Sequence, residues 1–400
     1  MKKNNKKIYI FRYMNKPILI LSILFALFGA LFILDASSIS AVLRYKLDTY
    51  YFFTRQLVMI GGSLVAALFI IKLFPTKTYK AFSLILSIIF IGLLLIVFIK
   101  NKVITTDVSE VTLQIGGFSL QPAEFLKVFL IMYLGCFFGS WINNPNRKKW
   151  SYIIPLCICA VACFLILLGG DYGSAALMVA LFAIIFISLP YKEKYFSGLK
   201  ILAVGGLVLA LLVLKFSYKL IPEKVLESSP RLNRLLYTNP CDRYEESSGY
   251  QVCNGYIAID NGGLLGVGVG KSIQKYLYLP ESHTDFIFPI IVEEFGIVTG
   301  VAIILAYIWL IYLIFKVAVN CYELQNSIIC YGIGIYIMLH VFVNLGGVLG
   351  VIPLTGVPLP FLSYGGSFCL VLICSLAVVQ RIYIEYLWWH KKDRLFKDSF

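Results

Sequence analysis

Long apolar stretches separated by short polar turns dominate this 400-residue chain. A helix needs roughly 20 residues to cross a hydrocarbon core of ~30 Å. Ten stretches are close to that length, at 17–39, 56–75, 80–99, 122–142, 151–169, 172–189, 198–216, 286–316, 328–352 and 366–388. The pattern therefore predicts an all-α polytopic membrane protein of about ten transmembrane helices, built as a single domain over residues 1–400.

The composition agrees with this class, and the charges set the orientation. Hydrophobic residues make up 60% of the chain and charged residues 14%, where soluble proteins average about a quarter charged. Lysine and arginine concentrate in alternate short loops, so the N-terminal tail (1–16) and the C-terminal tail (389–400) are predicted to be cytoplasmic. The tail 1–16 lacks a cleavage site of small residues and is expected to be retained. The net charge of +14 follows from this topology and from contact with anionic lipid, so no nucleic-acid partner is implied.

This topology leaves one large extracellular loop, 217–284, between the seventh and eighth helices. Two of the ten cysteines, Cys241 and Cys253, fall in it. A disulfide between them and two free thiols carry equal weight, because the compartment could be oxidising but spacing alone does not prove pairing. The other eight cysteines lie in or near spans, where Cys behaves as a small hydrophobe. No Cys/His cluster has zinc spacing.

Ionisable residues crowd the segment 279–300, at the start of the eighth helix. Such groups at a membrane edge cost free energy and need a function, so Asp285 is the first candidate for catalysis. His283 is two residues away, and on an extended backbone both side chains would point the same way. We expect His283 to make an orienting hydrogen bond, in preference to acting as a general base or metal ligand.

A glycine-rich run, 262–272, precedes that segment and is similar to a nucleotide-binding loop. The P-loop pattern fails by one residue, because Leu265 stands where its first glycine belongs. A flexible turn or a re-entrant segment is favoured over a phosphate cradle. Lys271 and Lys275 nonetheless place positive charge beside Asp285, where an anionic substrate could be held.

Two further sets of ionisable residues lie at predicted helix starts. Glu124 and Lys127 are three residues apart on one face of the fourth helix. They form either a structural ion pair or one wall of a substrate cavity, with Lys127 facing a phosphate or pyrophosphate. Asp171, in the turn before the sixth helix, is interpreted as an N-cap, as a site residue, or as both.

The segment 352–367 carries three prolines and three glycines, which forbid a continuous helix. At membrane depth such backbone must be buried in protein or line a wet cavity. The segment is therefore predicted to border a binding groove on the outer side, with Ser363 as a candidate substrate contact.

Four segments together identify the family that the chain resembles. These are QPAEFLK at 121–127, GGDYG at 169–173, the run from IAIDNGG to VEEFG at 257–296, and VNLGGVLGVIPLTGVPLPFLSYGGS at 343–367. In this order they resemble the shape, elongation, division and sporulation family of bacterial cell-wall polymerases, over nearly the whole chain. The stretch SIQKYLYLPE is more similar to the division-type branch than to the elongation-type branch.

The resemblance implies a peptidoglycan glycosyltransferase that polymerises lipid II at the outer face of the cytoplasmic membrane. The family's essential aspartate matches Asp285, its cavity acid and base match Glu124 and Lys127, and its acidic turn matches Asp171. The implied partners are a single-pass class B penicillin-binding protein and other divisome or elongasome membrane proteins.

The chemistry of the residues agrees with that reaction. Transfer from an α-linked pyrophosphate to a sugar 4-hydroxyl inverts the anomeric carbon, and it needs a base at the acceptor and positive charge at the leaving group. Asp285 is the candidate base. Lys127, Lys271, Lys275 or a bound divalent cation (Mg²⁺ or Mn²⁺) could supply the charge.

The alternative function is transport, in which the protein would flip lipid II across the membrane. Charged residues in spans and interrupted helices are also typical of transporters. However, the ionisable residues gather at the outer face, and only His340 and Asn344 are weak candidates for a polar path farther in. A purely structural scaffold would leave Asp285 unexplained.

Overall fold

The computed structural model describes residues 10–100, 112–115, 118–144, 146, 148–191, 194–220, 238–245 and 247–397. Within these residues the chain forms eleven α-helices and one β-hairpin. The helices are α1 (Lys16–Leu43), α2 (Tyr51–Leu73), α3 (Tyr79–Lys100), α4 (Pro122–Ile142), α5 (Ile153–Leu168), α6 (Tyr172–Ser188), α7 (Lys194–Leu220), α8 (Ser247–Gly262), α9 (Ile287–Asn320), α10 (Leu324–Val348) and α11 (Gly366–Lys397). The antiparallel strands β1 (Leu113–Ile115) and β2 (Phe118–Leu120) lead into α4.

Each predicted apolar stretch coincides with one helix, and the polytopic all-α class is confirmed. Eight helices are long and apolar enough to cross a membrane: α1 to α5 and α9 to α11. Helix α6 and the segment Phe196–Leu212 of α7 are shorter apolar helices. The count of ten spans and the orientation of the termini stay predictions. The predicted tails and the loop 217–284 extend partly outside the described residues, and the loop contains the additional helix α8.

Local signals explain where several helices begin. The Asn15 side chain accepts a hydrogen bond from the amide of Ile18 (3.3 Å), and Pro17 lies in the first turn of α1. Proline fixes φ near its helical value and lacks the amide that a helix start leaves unpaired. Helix α4 likewise starts at Pro122, directly after the hairpin. These signals fix the N-terminal end of α4, where Glu124 lies.

The centre of the bundle is formed by α4, α10 and α11. The most apolar windows of these helices are 72–78% buried, whereas those of α1, α2 and α3 are 22–33% buried. Helix α4 packs closely on α10 through Gly135 and Gly139, where an added Cβ would clash with Ile329 and Gln325. Small residues four apart allow such close approach between membrane helices. The most protected helices are therefore those that carry Glu124, Lys127, His340 and Asn344.

Candidate functional site

The segment before α9 is a series of turns. The carbonyl of Glu281 accepts hydrogen bonds from the amides of Thr284 (3.1 Å) and Phe286 (3.3 Å). Glu281 itself has a φ of 57°, in the left-handed region that is uncommon for residues other than glycine. The expectation of an extended backbone that aligns His283 with Asp285 is therefore wrong, because the chain reverses at Glu281.

Asp285 lies at the end of this turn and is half-buried. The hydroxyl of Thr284 is 3.1 Å from Asp285 Oδ1 and 2.9 Å from Glu281 Oε2, and its single hydrogen can serve one carboxylate at a time. The Asp285 main-chain carbonyl accepts a hydrogen bond from Asn344 Nδ2 (2.9 Å). The same Nδ2 donates to the carbonyl of Val357 (2.8 Å). Asn344 thus connects two segments, which are the turn that carries Asp285 and the Pro/Gly segment 352–367.

His283 packs among aromatic rings. Its ring centroid lies 4.5 Å from that of Phe52 and 5.8 Å from that of Tyr364. Its carbonyl accepts a hydrogen bond from the amide of Tyr364 (2.8 Å). Burial lowers the pKa of the imidazole to about 4, although the nearby carboxylate of Glu281 acts in the opposite direction. His283 is therefore neutral at physiological pH, and its contacts position the backbone of the turn.

The lowered pKa predicts a pH dependence of stability. The unfolded chain takes up a proton at His283 below pH ~6.5, whereas the folded chain does so only near pH 4. The native state therefore loses stability as the pH falls from about 6.5 to about 4, by roughly 2–3 kcal/mol from this group. We expect His283→Phe, which keeps the aromatic packing, to lose correspondingly less. Thermal unfolding of both proteins across this range is the measurement, and parallel pH curves would contradict the prediction.

Glu124 and Lys127 form a buried ion pair. Lys127 Nζ lies 2.7 Å from Glu124 Oε1, and the two residues are 0% and 1% exposed. The hydroxyl of Tyr336 donates to Glu124 Oε2 (2.8 Å). His340 Nε2 lies 3.5 Å from Lys127 Nζ and 3.6 Å from Glu124 Oε2. The pair suggested by the spacing is formed, and a role in substrate binding stays a prediction.

One face of α10 connects this pair to Asp285. Tyr336, His340 and Asn344 are spaced four apart and so lie on the same side of the helix. All three are buried, at 1%, 0% and 3% exposure. Sequence reasoning considered His340 and Asn344 only for transport and missed Tyr336, although the spacing of four was the available signal.

Asp171 caps α6, as one of its two interpretations proposed. Asp171 Oδ1 accepts a hydrogen bond from the amide of Ser174 (2.9 Å), and Oδ2 accepts one from Nε2 of Gln121 (3.2 Å). The next turn packs on the Pro/Gly segment, since a Cβ at Gly173 would clash with the carbonyl oxygen of Thr355. The cap is confirmed, and a role for Asp171 in the site stays a prediction.

Ser363 also lies in the Pro/Gly segment, where its contacts are internal. Its hydroxyl accepts a hydrogen bond from the amide of Leu359 (2.8 Å), and its amide donates to the carbonyl of Leu359 (3.1 Å). The residue is 2% exposed. The hydroxyl thus closes a turn of the segment, and direct contact of Ser363 with a substrate stays a prediction.

The two candidate lysines lie in different environments. Lys271 is exposed. Lys275 is 3% exposed, and its Nζ lies 2.6 Å from Glu294 Oε1 and 2.8 Å from Asp35 Oδ1. Burial alone would lower the pKa of Lys275, but the hydrogen bonds and charges of both carboxylates raise it. As a correction to the expectation that both lysines offer free charge, Lys275 is occupied by protein carboxylates.

The glycine-rich run folds around two glutamates of α9. Glu294 accepts hydrogen bonds from the amides of Gly270 (3.0 Å) and Ser272 (3.2 Å). Glu293 accepts from the amides of Ile273 (3.2 Å) and Gln274 (3.3 Å), and from the hydroxyl of Ser272. These amides are the groups that a phosphate cradle would use. The run therefore binds carboxylates of its own chain.

An open pocket of about 280 Å³ lies beside the turn, lined in part by Arg44, Tyr45, Glu281 and His283. Arg44 is exposed and follows the last residue of α1. The sequence did not single out Arg44, because Glu281 and His283, which line the same pocket, lie far from it in the chain. Its guanidinium is an additional candidate for an anionic group of a substrate.

Two remaining expectations concern cysteine pairing and metal ligands. Cys241 and Cys253 form a disulfide, with Cα atoms 5.0 Å apart. It links the short helical turn Pro240–Arg243 to α8 within the loop. Among the residues that the structure describes, no group of three or more His, Cys, Asp or Glu side chains could hold a metal ion. Glu281 and Asp285 remain a pair of carboxylates that share one hydroxyl.

Comparisons with known proteins identify the family to which the chain belongs. A family model named FTSW_RODA_SPOVE and described as "cell cycle protein" matches residues 15–386. The probable peptidoglycan glycosyltransferase FtsW of Bacillus subtilis (strain 168) is 36% identical over 359 residues, covering 89% of this chain and 87% of that protein. Stage V sporulation protein E of the same organism is 30% identical over 368 residues, covering 91% and 95%.

Solved structures share the fold. The rod shape determining protein RodA of Thermus thermophilus superposes with a TM-score of 0.63 at 23% identity, covering 92% of this chain and 96% of that chain. A chain of a peptidoglycan synthase complex, described as coordinating polymerization and crosslinking, superposes with a TM-score of 0.68 at 23% identity, covering 93% and 98%.

Proposed function

This chain belongs to the FTSW_RODA_SPOVE family of cell cycle proteins, and we propose that it polymerises lipid II into β-1,4-linked glycan strands at the outer face of the cytoplasmic membrane. The relatives named FtsW carry the description probable peptidoglycan glycosyltransferase, and this is the enzyme class that we assign to the chain. The observation that carries the proposal is the placement of Asp285. Its half-buried carboxylate ends a turn that Asn344 attaches to the bundle.

The position of this turn along the membrane normal suits a lipid-linked substrate. Asn344 lies on α10, which begins at Leu324, so about 20 residues separate it from the opposite end of the helix. At 1.5 Å per residue this is ~30 Å, the thickness of the hydrocarbon core. Asp285 would therefore lie where lipid headgroups begin. The pyrophosphate and the first sugars of a membrane-anchored substrate occupy that layer.

The proposed reaction requires one base and one site of positive charge. Asp285 would take the proton from the acceptor 4-hydroxyl as that oxygen attacks the anomeric carbon, and the pyrophosphate would leave with inversion. The exposed cations Lys271 and Arg44 are available to the leaving group. Lys127 and Lys275 are held in ion pairs, and they would take part only if those pairs opened.

We further propose that a divalent cation binds beside the Asp285 turn. Mg²⁺ is commonly held by one or two carboxylates together with phosphates of the substrate. Glu281 and Asp285 are the residues that would hold it, since the same Thr284 hydroxyl contacts both. The ion would neutralise charge that develops on the departing pyrophosphate.

We propose partners from the same comparisons, and an orientation from the lysine and arginine content of the loops. A chain with the same fold is part of a peptidoglycan synthase complex. A class B penicillin-binding protein would accordingly crosslink the strands that this chain polymerises. Other membrane proteins of the division or elongation machinery would be further partners. Both termini would be cytoplasmic, which places the Asp285 turn outside.

Polymerisation in a purified system tests the proposal. The protein is reconstituted in liposomes with lipid II, with and without a class B penicillin-binding protein and Mg²⁺, and glycan polymer is separated by gel electrophoresis. We expect polymer that depends on Asp285. Translocation of lipid II is measured in the same liposomes. Translocation that survives Asp285→Ala and falls with His340→Ala, in the absence of polymer, would favour the transporter instead.

A further inference from the structure

The glycine-rich run and the residue that follows it expose large apolar side chains, although they lie outside the membrane-spanning helices. Leu264, Leu265, Val269 and Ile273 are 71%, 82%, 68% and 59% exposed. The backbone of this part is well held, since its amides bind Glu293 and Glu294. The exposure is therefore a property of the fold, and an apolar surface of this kind commonly marks an interaction site. We call the four side chains the apolar rim.

Helix α9 gives a first measure of where the rim lies along the membrane normal. The helix is broken at Gly296, which has a φ of 83°, and an added Cβ there would clash with the carbonyl of Leu264. The amide of Ile297 donates to the carbonyl of Gly263 (2.9 Å). From Gly296 the helix continues without a charged residue to Lys316. These 20 residues span ~30 Å, which is the thickness of a hydrocarbon core.

Helix α1 gives a second, independent measure. It begins at Lys16 and has no charged residue before Asp35. That stretch spans ~28 Å at 1.5 Å per residue. Asp35 forms an ion pair with Lys275, just after the rim (2.8 Å). Both helices therefore place the glycine-rich run at the same level, the outer boundary of the hydrocarbon core.

From these two measures we propose that the apolar rim is inserted among the acyl chains of the outer leaflet. Exposed leucine, valine and isoleucine side chains at this level gain the free energy of leaving water, which grows with the apolar surface that they bury. Exposed Tyr276 and Tyr278 follow in the chain, and tyrosine is enriched at membrane interfaces. The rim anchors the glycine-rich run, and with it the Asp285 turn, at a fixed depth in the membrane.

Spin-label accessibility tests the proposal without reference to activity. Leu265→Cys is prepared in the full chain with the accessible Cys157, Cys321 and Cys374 replaced by alanine. The labelled protein is placed in lipid nanodiscs, and collisions with oxygen and with a water-soluble nickel chelate are compared. Tyr244→Cys, in the same loop, is the control for water, and Ile308→Cys, on the exposed side of α9, is the control for lipid.

We expect the ratio of oxygen to nickel collisions at Leu265 to approach that at Ile308 and to exceed that at Tyr244 several-fold. A ratio equal to that at Tyr244 would overturn the proposal. The measurement is repeated with the partner penicillin-binding protein. Loss of oxygen collisions at Leu265 but not at Ile308 would assign the rim to a protein contact and overturn lipid as its occupant. Failure of this test would leave the proposed polymerase activity untouched.

Discussion

Asp285→Asn is expected to reduce the rate of glycan polymerisation by about 10²–10⁴-fold, the usual contribution of a general base. The amide has nearly the shape of the carboxylate but cannot accept the proton of the acceptor hydroxyl. The side chain is half-buried, and the contact that fixes the turn, from Asn344, is made to the Asp285 main-chain carbonyl. The substitution leaves that contact in place. We therefore expect the thermal stability to change little.

The same substitution elsewhere in the loop between α7 and α9 provides the control. Asp260 is an exposed carboxylate on α8, and Asp260→Asn should leave the polymerisation rate close to wild type. Glu281→Gln tests the second of the two carboxylates that share the Thr284 hydroxyl. If Glu281 only supports Asp285, Glu281→Gln should reduce the polymerisation rate less than Asp285→Asn does. Normal polymer from purified Asp285→Asn would exclude this residue as the base.

The features predicted from sequence are those set by local chemistry. The apolar stretches coincide with helices because a membrane span needs a minimum length of uncharged residues. The cap by Asp171 and the pair of Glu124 with Lys127 follow from spacings within one helical turn. In these cases the partner lies within four residues in the chain, so the pattern contains both members.

The features that sequence reasoning missed depend on contacts distant in the chain. Lys275 pairs with Asp35, 240 residues earlier. Asn344 binds a carbonyl of the Asp285 turn, 59 residues earlier. The extended backbone was predicted from a period of two, but Glu281 adopts a left-handed conformation that side-chain type does not indicate. In each case the tertiary fold, and not local propensity, determines which groups meet.

The glycine-rich run shows the same limit in a different way. Its composition is similar to that of an anion-binding loop, although the P-loop pattern fails by one residue and a flexible turn or re-entrant segment was the favoured prediction. In the structure the amides of the run do bind anions. The anions are Glu293 and Glu294 of the same chain. A sequence motif identifies the donor groups, whereas only the fold identifies the acceptor.

Lys275→Met is expected to reduce the free energy of unfolding by about 3–5 kcal/mol, because it leaves a buried carboxylate without its counter-charge. The Glu294 side chain is 1% exposed, whereas that of Asp35 is 24% exposed and can still be hydrated. Most of the loss should therefore come from Glu294. Thermal unfolding in lipid nanodiscs is the measurement. Lys271→Met, four residues earlier and exposed, should change stability by no more than about 0.5 kcal/mol.

A second substitution separates loss of charge balance from loss of packing. In Lys275→Met/Glu294→Gln the uncompensated carboxylate is removed, so the double variant should be more stable than Lys275→Met alone. Two losses that simply add would contradict an ion pair as the cause. Because Lys275 lies in the segment that leads to the Asp285 turn, Lys275→Met should also reduce polymerisation at temperatures where it remains folded. Lys275→Arg keeps the charge and should retain most of the activity, as expected if the cation at this position holds the turn through its pairs with Glu294 and Asp35.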